Sequence, residues 1–129
     1  MKRISLLLCF LFVAATSAMA QDATKADPKH YTVEFENDQV RVLRIRYGPH
    51  EKSVMHSHPA GFLIQLTDMN VRFTLADGKV LEMQGKAGET REAQAGAHLP
   101  ENMSDQPMEA MLVEFKGKPT KKAGNARSR

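Results

Sequence analysis

Apolar and polar side chains alternate along most of this chain with a period of two, the spacing of a strand half buried in a sheet. Tyr31-Thr32-Val33-Glu34-Phe35 is the first such run, and Asn37-Asp38 turns it into a longer one, Gln39 to Tyr47. There the phase slips by one between Val42 and Leu43, which predicts a bulge or a strand covered on both faces at that point. Arg41, Arg44 and Arg46 are expected mostly in water. Further strands are predicted over 54–58, 61–66, 71–75, 80–84, 89–94, 97–102 and 108–115. Gly48-Pro49, Pro59, the 67–70 segment, Gly85 to Gly88, Ala95-Gly96 and Ser104 to Pro107 separate them. Asp77-Gly78 is the clearest hairpin signal. In the last strand Met111, Val113 and Phe115 share a face. Met55, Met103, Met108 and Met111 read as core filling. Short strands with a turn roughly every eight to twelve residues predict an all-β sandwich or barrel.

The two ends have a different character. Lys2 and Arg3 precede an apolar run from Ile4 to Ala15, and Ala18-Met19-Ala20 supplies the small residues of a cleavage site. Residues 1–20 therefore read as a signal peptide cut after Ala20, with a periplasmic or secreted product. The apolar run is short of the about 20 residues of a membrane span, so no integral membrane anchor is expected. The one cysteine, Cys9, leaves with the signal, which removes disulfides and thiolate chemistry from the mature chain. Residues 21–30 are polar, break at Asp27-Pro28 and read as a flexible lead-in to a single domain over 31–116. Residues 117–129 form a basic tail expected to be disordered.

Charge changes the picture of partners. The whole chain carries a formal +3, but residues 21–115 hold 10 Lys and Arg against 15 Asp and Glu. The body is acidic and the basic charge belongs to the tail. With no Trp and no aromatic residue in that tail, nucleic-acid binding is not expected.

The candidate chemistry lies at Val54-Met55-His56-Ser57-His58-Pro59. Histidines two apart on a strand point to one face, and neutral imidazoles sharing a face are the usual start of a transition-metal site. Two hydrogen-bonded strand histidines are the plainer alternative. A third, His98, follows the Ala95-Gly96 turn. No Ser-His-Asp signature, phosphate loop or dinucleotide fingerprint is present.

On these residues the chain resembles a small single-domain cupin over roughly Val33 to Lys116. Gly48, His56 and His58 match the first motif of that superfamily, whose glutamate position falls here at Phe62 or Leu63. Gly88, Gly96, His98 and Asn102 match the second, with Gln94 in place of its proline. The string from Gly96 to Asn102 is also similar to small cupins associated with β-alanine degradation. The resemblance implies a double-stranded β-helix, or jelly-roll barrel, with His56, His58 and His98 as metal ligands facing its interior. Three imidazoles without a carboxylate leave the charge of a divalent ion uncompensated, which acidifies bound water and attracts anions. Such a donor set suits Zn, Fe, Ni or Cu.

Around that site His50 and Glu51 are candidates for acid–base roles or solvated loop groups. Gln65 would reach the ion only at long range. Glu101 is a candidate acceptor for an imidazole N–H, and Asn102 a turn cap or a ligand contact. The expected function is an exported metal-binding cupin acting on a small anionic organic molecule, with dioxygenase, lyase and isomerase chemistry all open. The alternative is a non-catalytic module that holds a small molecule for sensing, storage or delivery. A structural protein with a vestigial pocket is a third. A homodimer paired through an edge strand is expected of so short a chain.

Overall fold

A computed structural model describes residues 20–117. The signal segment and the basic tail of the sequence reading lie outside them, save Ala20 and Gly117. Within them one short helix, α1 (Ala23–Ala26), precedes nine strands: β1 (Tyr31–Glu36), β2 (Val40–Tyr47), β3 (His56–His58), β4 (Gly61–Gln65), β5 (Met69–Leu75), β6 (Val80–Gly85), β7 (Thr90–Ala93), β8 (Gly96–Asn102) and β9 (Met108–Phe115). They form two sheets, ordered β1-β2-β9-β4-β7 and β3-β8-β5-β6, in which every paired strand is antiparallel.

Alternation along each strand decides what lies between the sheets. From the larger sheet Leu43, Ile45, Tyr47, Met108, Ala110 and Leu112 are buried, and from the smaller one Met69 and Val71. Each such large side chain contributes roughly 1.5–3 kcal/mol on burial. The register places His56 opposite His98 across β3 and β8. Gly61 sits where β4 meets β9, and a Cβ there would stand 1.9 Å from the Val113 carbonyl oxygen. Only glycine allows that approach.

Several expectations are corrected. The bulge lies on β1, not β2: Val33 pairs with Leu43 and Phe35 with Val42, while β2 runs unbroken against β9. Val42 and Leu43 therefore face opposite sides of a regular strand, which is what the phase slip records. Met111, Val113 and Phe115 do share a face, but the outer one. The buried face of β9 is Met108, Ala110, Leu112 and Glu114. Arg41 does not face water. It ion-pairs with Glu114 and Asp22 and is largely buried.

The segment expected as a flexible lead-in is folded. Asp22 caps α1 by accepting from the Thr24 N–H at 3.0 Å and ion-pairs with Arg41. Ala23 is fully buried, and α1 packs against β1 and β3. The Ser57 N–H donates to the Gln21 carbonyl at 2.8 Å, and the Ser57 hydroxyl to the Ala20 carbonyl at 2.8 Å. Partners distant in sequence order this segment, so its own polar composition does not announce the structure.

Candidate metal and ligand site

His56 and His58 stand at the two ends of the three-residue β3, and His98 on β8 packs against both. The ring centroids lie 5.0 Å apart for His56–His98 and 4.7 Å for His58–His98. Phe73 covers His98 at 4.9 Å, and the edge of Tyr31 meets His56 at 4.7 Å. His56 is wholly buried. Its Nδ1 lies 2.9 Å from the Val54 carbonyl oxygen, an acceptor only, so Nδ1 carries the proton. Nε2 is then a bare lone pair, buried and without a protein partner among the described residues. That tautomer is the one in which imidazole ligates a metal. In His58 the same atom, Nδ1, lies 2.9 Å from the Pro59 carbonyl oxygen, again leaving Nε2 for another partner.

Burial and mutual repulsion favour the neutral form of His56 and His98. Burial pushes His98 down to about 3, helped by repulsion from His58 and His56 as these charge. Burial likewise lowers His56, with His58 adding to it, against the opposing hydrogen bond to Val54. Three neutral imidazoles are the form that ligation requires. The rings are adjacent without being convergent: among the described residues no three His, Cys, Asp or Glu side chains surround a common point where an ion would sit. Donor chemistry fits a transition metal, and coordination requires the side chains to turn toward one another.

Behind His56 lies a network that sequence reasoning missed. Ser53 Oγ is 3.4 Å from His56 Nδ1 and donates to Asp27 Oδ2 at 2.5 Å. The same carboxylate oxygen meets His30 Nδ1 at 2.6 Å, and His30 Nε2 meets Glu51 Oε2 at 2.9 Å. His30 stacks on Tyr47 at 4.3 Å, and the Tyr47 and Tyr31 hydroxyls are 2.8 Å apart. Burial raises the Asp27 carboxyl, but the bonds from Ser53 and His30 and the charge of His30 outweigh it, so the group lies below its usual value. Only an acid and a histidine three residues apart, Asp27 and His30, hint at this network in the sequence.

The remaining candidates are not brought to the imidazoles. Glu51 accepts from the Gly48 N–H at 2.7 Å and pairs with Lys29 and His30, which pull it down to about 2, Lys29 first. His50 is an exposed loop residue at φ 56°, bonded to Asp105 at 2.6 Å. Gln65 is fully buried on the other sheet, where its oxygen accepts from Arg91 Nε at 3.0 Å and Nη2 at 3.2 Å once the amide is oriented for them. Glu101 alternates with His98 and Asn102 along β8 and so lies on the opposite face, pairing with Arg72 and Lys52 in register. The buried Asn102 organises a loop: Nδ2 donates to the Gly48 and Gln106 carbonyls at 3.0 and 2.8 Å, and Oδ1 accepts from the Ser104 N–H at 3.1 Å.

Between the sheets, with His58 and His98 on its wall, opens a cavity of about 850 Å3. This fold has counterparts among solved structures. A cupin domain protein of Bordetella pertussis is similar at a TM-score of 0.63 and 22% identity, over 67% of this chain and 92% of that one. The fold is that of a cupin. A Klebsiella pneumoniae protein with a double-stranded β-helix domain is similar at a TM-score of 0.55 and 19% identity, covering 70% of this chain and 80% of that one. An RmlC-like cupin family protein of Methanocaldococcus jannaschii follows at 0.53 and 20%, over 70% and 84%. No protein-family model and no curated protein sequence matches the chain. The alternation predicts an all-β sandwich or barrel, and the jelly-roll fold found here is the one that the resemblance implies.

Among the described residues no helix is long and apolar enough to cross a membrane.

Proposed function

We propose that this cupin domain binds a divalent transition metal (Zn, Fe, Ni or Cu) through His56, His58 and His98 and holds a small organic molecule beside it in the barrel. One observation carries the reading. His56 is buried with its Nδ1 proton directed at Val54 and its Nε2 unpartnered, next to the ring of His98. Leaving a buried lone pair unmatched costs about 1–3 kcal/mol, which a bound ion recovers. When bound, such an ion polarises an adjacent carbonyl or acidifies a bound water. The chain's own residues do the rest. Val54 and Ser53 fix the tautomer of His56, Phe73 and Tyr31 hold the rings of His98 and His56, and the barrel wall limits water. With no carboxylate to balance the ion, a ligand bearing one negative charge completes the site. The resemblance of Gly96–Asn102 to cupins associated with β-alanine degradation makes small carboxylic acids the first ligands to try. The signal-like N-terminus supports export to the periplasm or beyond, and the exposed strand edges leave pairing of two chains as part of the proposal.

The absence of any carboxylate hydrogen-bonded to the three imidazoles, among the described residues, favours a second reading: a module that holds its ligand without turning it over. Elemental analysis of untagged protein is the test. One divalent ion per chain, lost in His56→Ala and His98→Ala, supports the site. No ion after reconstitution with Zn, Fe, Ni and Cu in turn overturns it. Product recovered after long incubation with a panel of small acids would then separate enzyme from carrier.

A further inference from the structure

The chemistry of the cavity wall narrows the ligand. At about 850 Å3 the space is in the size range of a drug-like or cofactor-sized molecule, well beyond a two- or three-carbon acid. Strand alternation directs Leu63, Val71, Phe73, Leu81, Met83 and Leu112 toward it. The polar groups nearby are mostly matched already. The Tyr31 and Tyr47 hydroxyls bond each other. Gln65 and Asn102 are occupied by Arg91 and by loop carbonyls, and neither amide is among the groups that line the space. What remains for a ligand is a polar end at His58 and His98, the Arg91 guanidinium, whose Nη2 is bonded to Gln84 and Glu89, and Gln94, while Asp77, Glu82 and Glu92 put carboxylates on the same wall.

We infer that the cavity takes a monocarboxylate with a long apolar body, a medium-chain or aromatic acid, seated with its charged end at the imidazoles. This rests on the proposal that the barrel interior is the ligand site, and it replaces a small hydrophilic acid by an amphipathic one. A compact dicarboxylate or amino acid would leave most of the apolar wall facing water, and a dicarboxylate would also carry a second negative charge into a space that Asp77, Glu82 and Glu92 line. A hydrocarbon tail instead removes that wall from water. It is non-directional in its demands, which suits a surface built from Leu, Met, Val and Phe.

The test is a calorimetric titration of the protein, metal-free and zinc-loaded, with acetate, butyrate, hexanoate and octanoate, and with malonate and β-alanine. Affinity should rise by about fourfold for each added methylene, with malonate and β-alanine binding no tighter than acetate. The slope should persist in the metal-free protein. A steep slope without metal binding therefore leaves this inference standing while the metal proposal falls. Metal binding with a flat series, or with malonate ahead of octanoate, overturns the inference alone. Ala93→Phe, which projects a ring into the cavity from the edge strand β7, should cut octanoate affinity at least tenfold and leave acetate unchanged. Leu81→Glu provides a second variant. Leu81 is 54% exposed at the cavity edge, so the fold tolerates the change, and octanoate should weaken by a similar factor. Octanoate binding unaffected by both would place it elsewhere, on the outer apolar face, and the inference would fail.

Discussion

Arg41 and Glu114 face each other across β2 and β9 on the inner side of the larger sheet, with Nε 2.6 Å from Oε2. Glu114 is 1% exposed, and its second oxygen has no partner among the described residues. Removing the guanidinium strands a buried carboxylate. Arg41→Met should cost about 3–5 kcal/mol in equilibrium unfolding, whereas the double replacement Arg41→Met with Glu114→Met should recover most of that loss. A double variant as unstable as the single one would show that the pair holds the strands by more than mutual charge.

The imidazole cluster makes stability depend on pH in a defined direction. In the metal-free protein His98 is held at about 3 against an ordinary 6.5, and His56 is lowered too. Between those values the unfolded chain binds more protons than the folded one, so stability falls as pH drops through the window. Urea unfolding from pH 7.5 to 4.5 should show the decline, and His98→Gln should flatten it. Carboxylates such as Asp27 act only lower down, where their own lowered values lie.

Asp27 ties Ser53 and His30 together beneath His56. Asp27→Ala should destabilise the fold by about 3 kcal/mol, since it leaves a buried hydroxyl and an imidazole without their acceptor. Metal affinity should fall as well, by roughly tenfold or more, as for other residues that orient a ligand through a hydrogen bond. Unchanged zinc affinity in a folded Asp27→Asn variant would limit the network to stability.

Gly61→Ala should be among the most damaging single-methyl changes in the chain, because its Cβ would overlap the Val113 carbonyl. Thermal denaturation should register a loss of about 3 kcal/mol or failure to fold. A near-neutral result would mean that β4 and β9 shift apart readily.

Much of this was legible in alternation. The strand over Met108–Phe115 has the bounds its pattern predicts, and His56 and His58 share a face because they are two apart on β3. Which face of β9 is buried was not legible. Both faces are rich in apolar residues, and Glu114 disguises the inner one until Arg41 is seen opposite it. His98 was found through spacing after a turn. Most of the His30 network is not legible because Ser53 and Glu51 meet the local Asp27–His30 pair only through chain reversals that no local pattern encodes. Glu101 failed as a histidine partner for the plainest reason: three residues along a strand is an odd number, and odd separations point away.

Ser57 has a consequence for the order in which this molecule assembles. It lies between His56 and His58 and its N–H is bonded on one side to the Gln21 carbonyl, while its neighbours pair with β8 on the other. A three-residue strand has little cohesion of its own, and here both partners are distant in sequence. Two long loops must therefore close before the imidazoles come together, and loop closure of this kind delays contacts relative to the local hairpin β5–β6. Hydrogen exchange during refolding, read at the Ser57 N–H beside that of Phe73, would time the two events. The expected order has the barrel wall forming first, with its histidine end the seam that closes last.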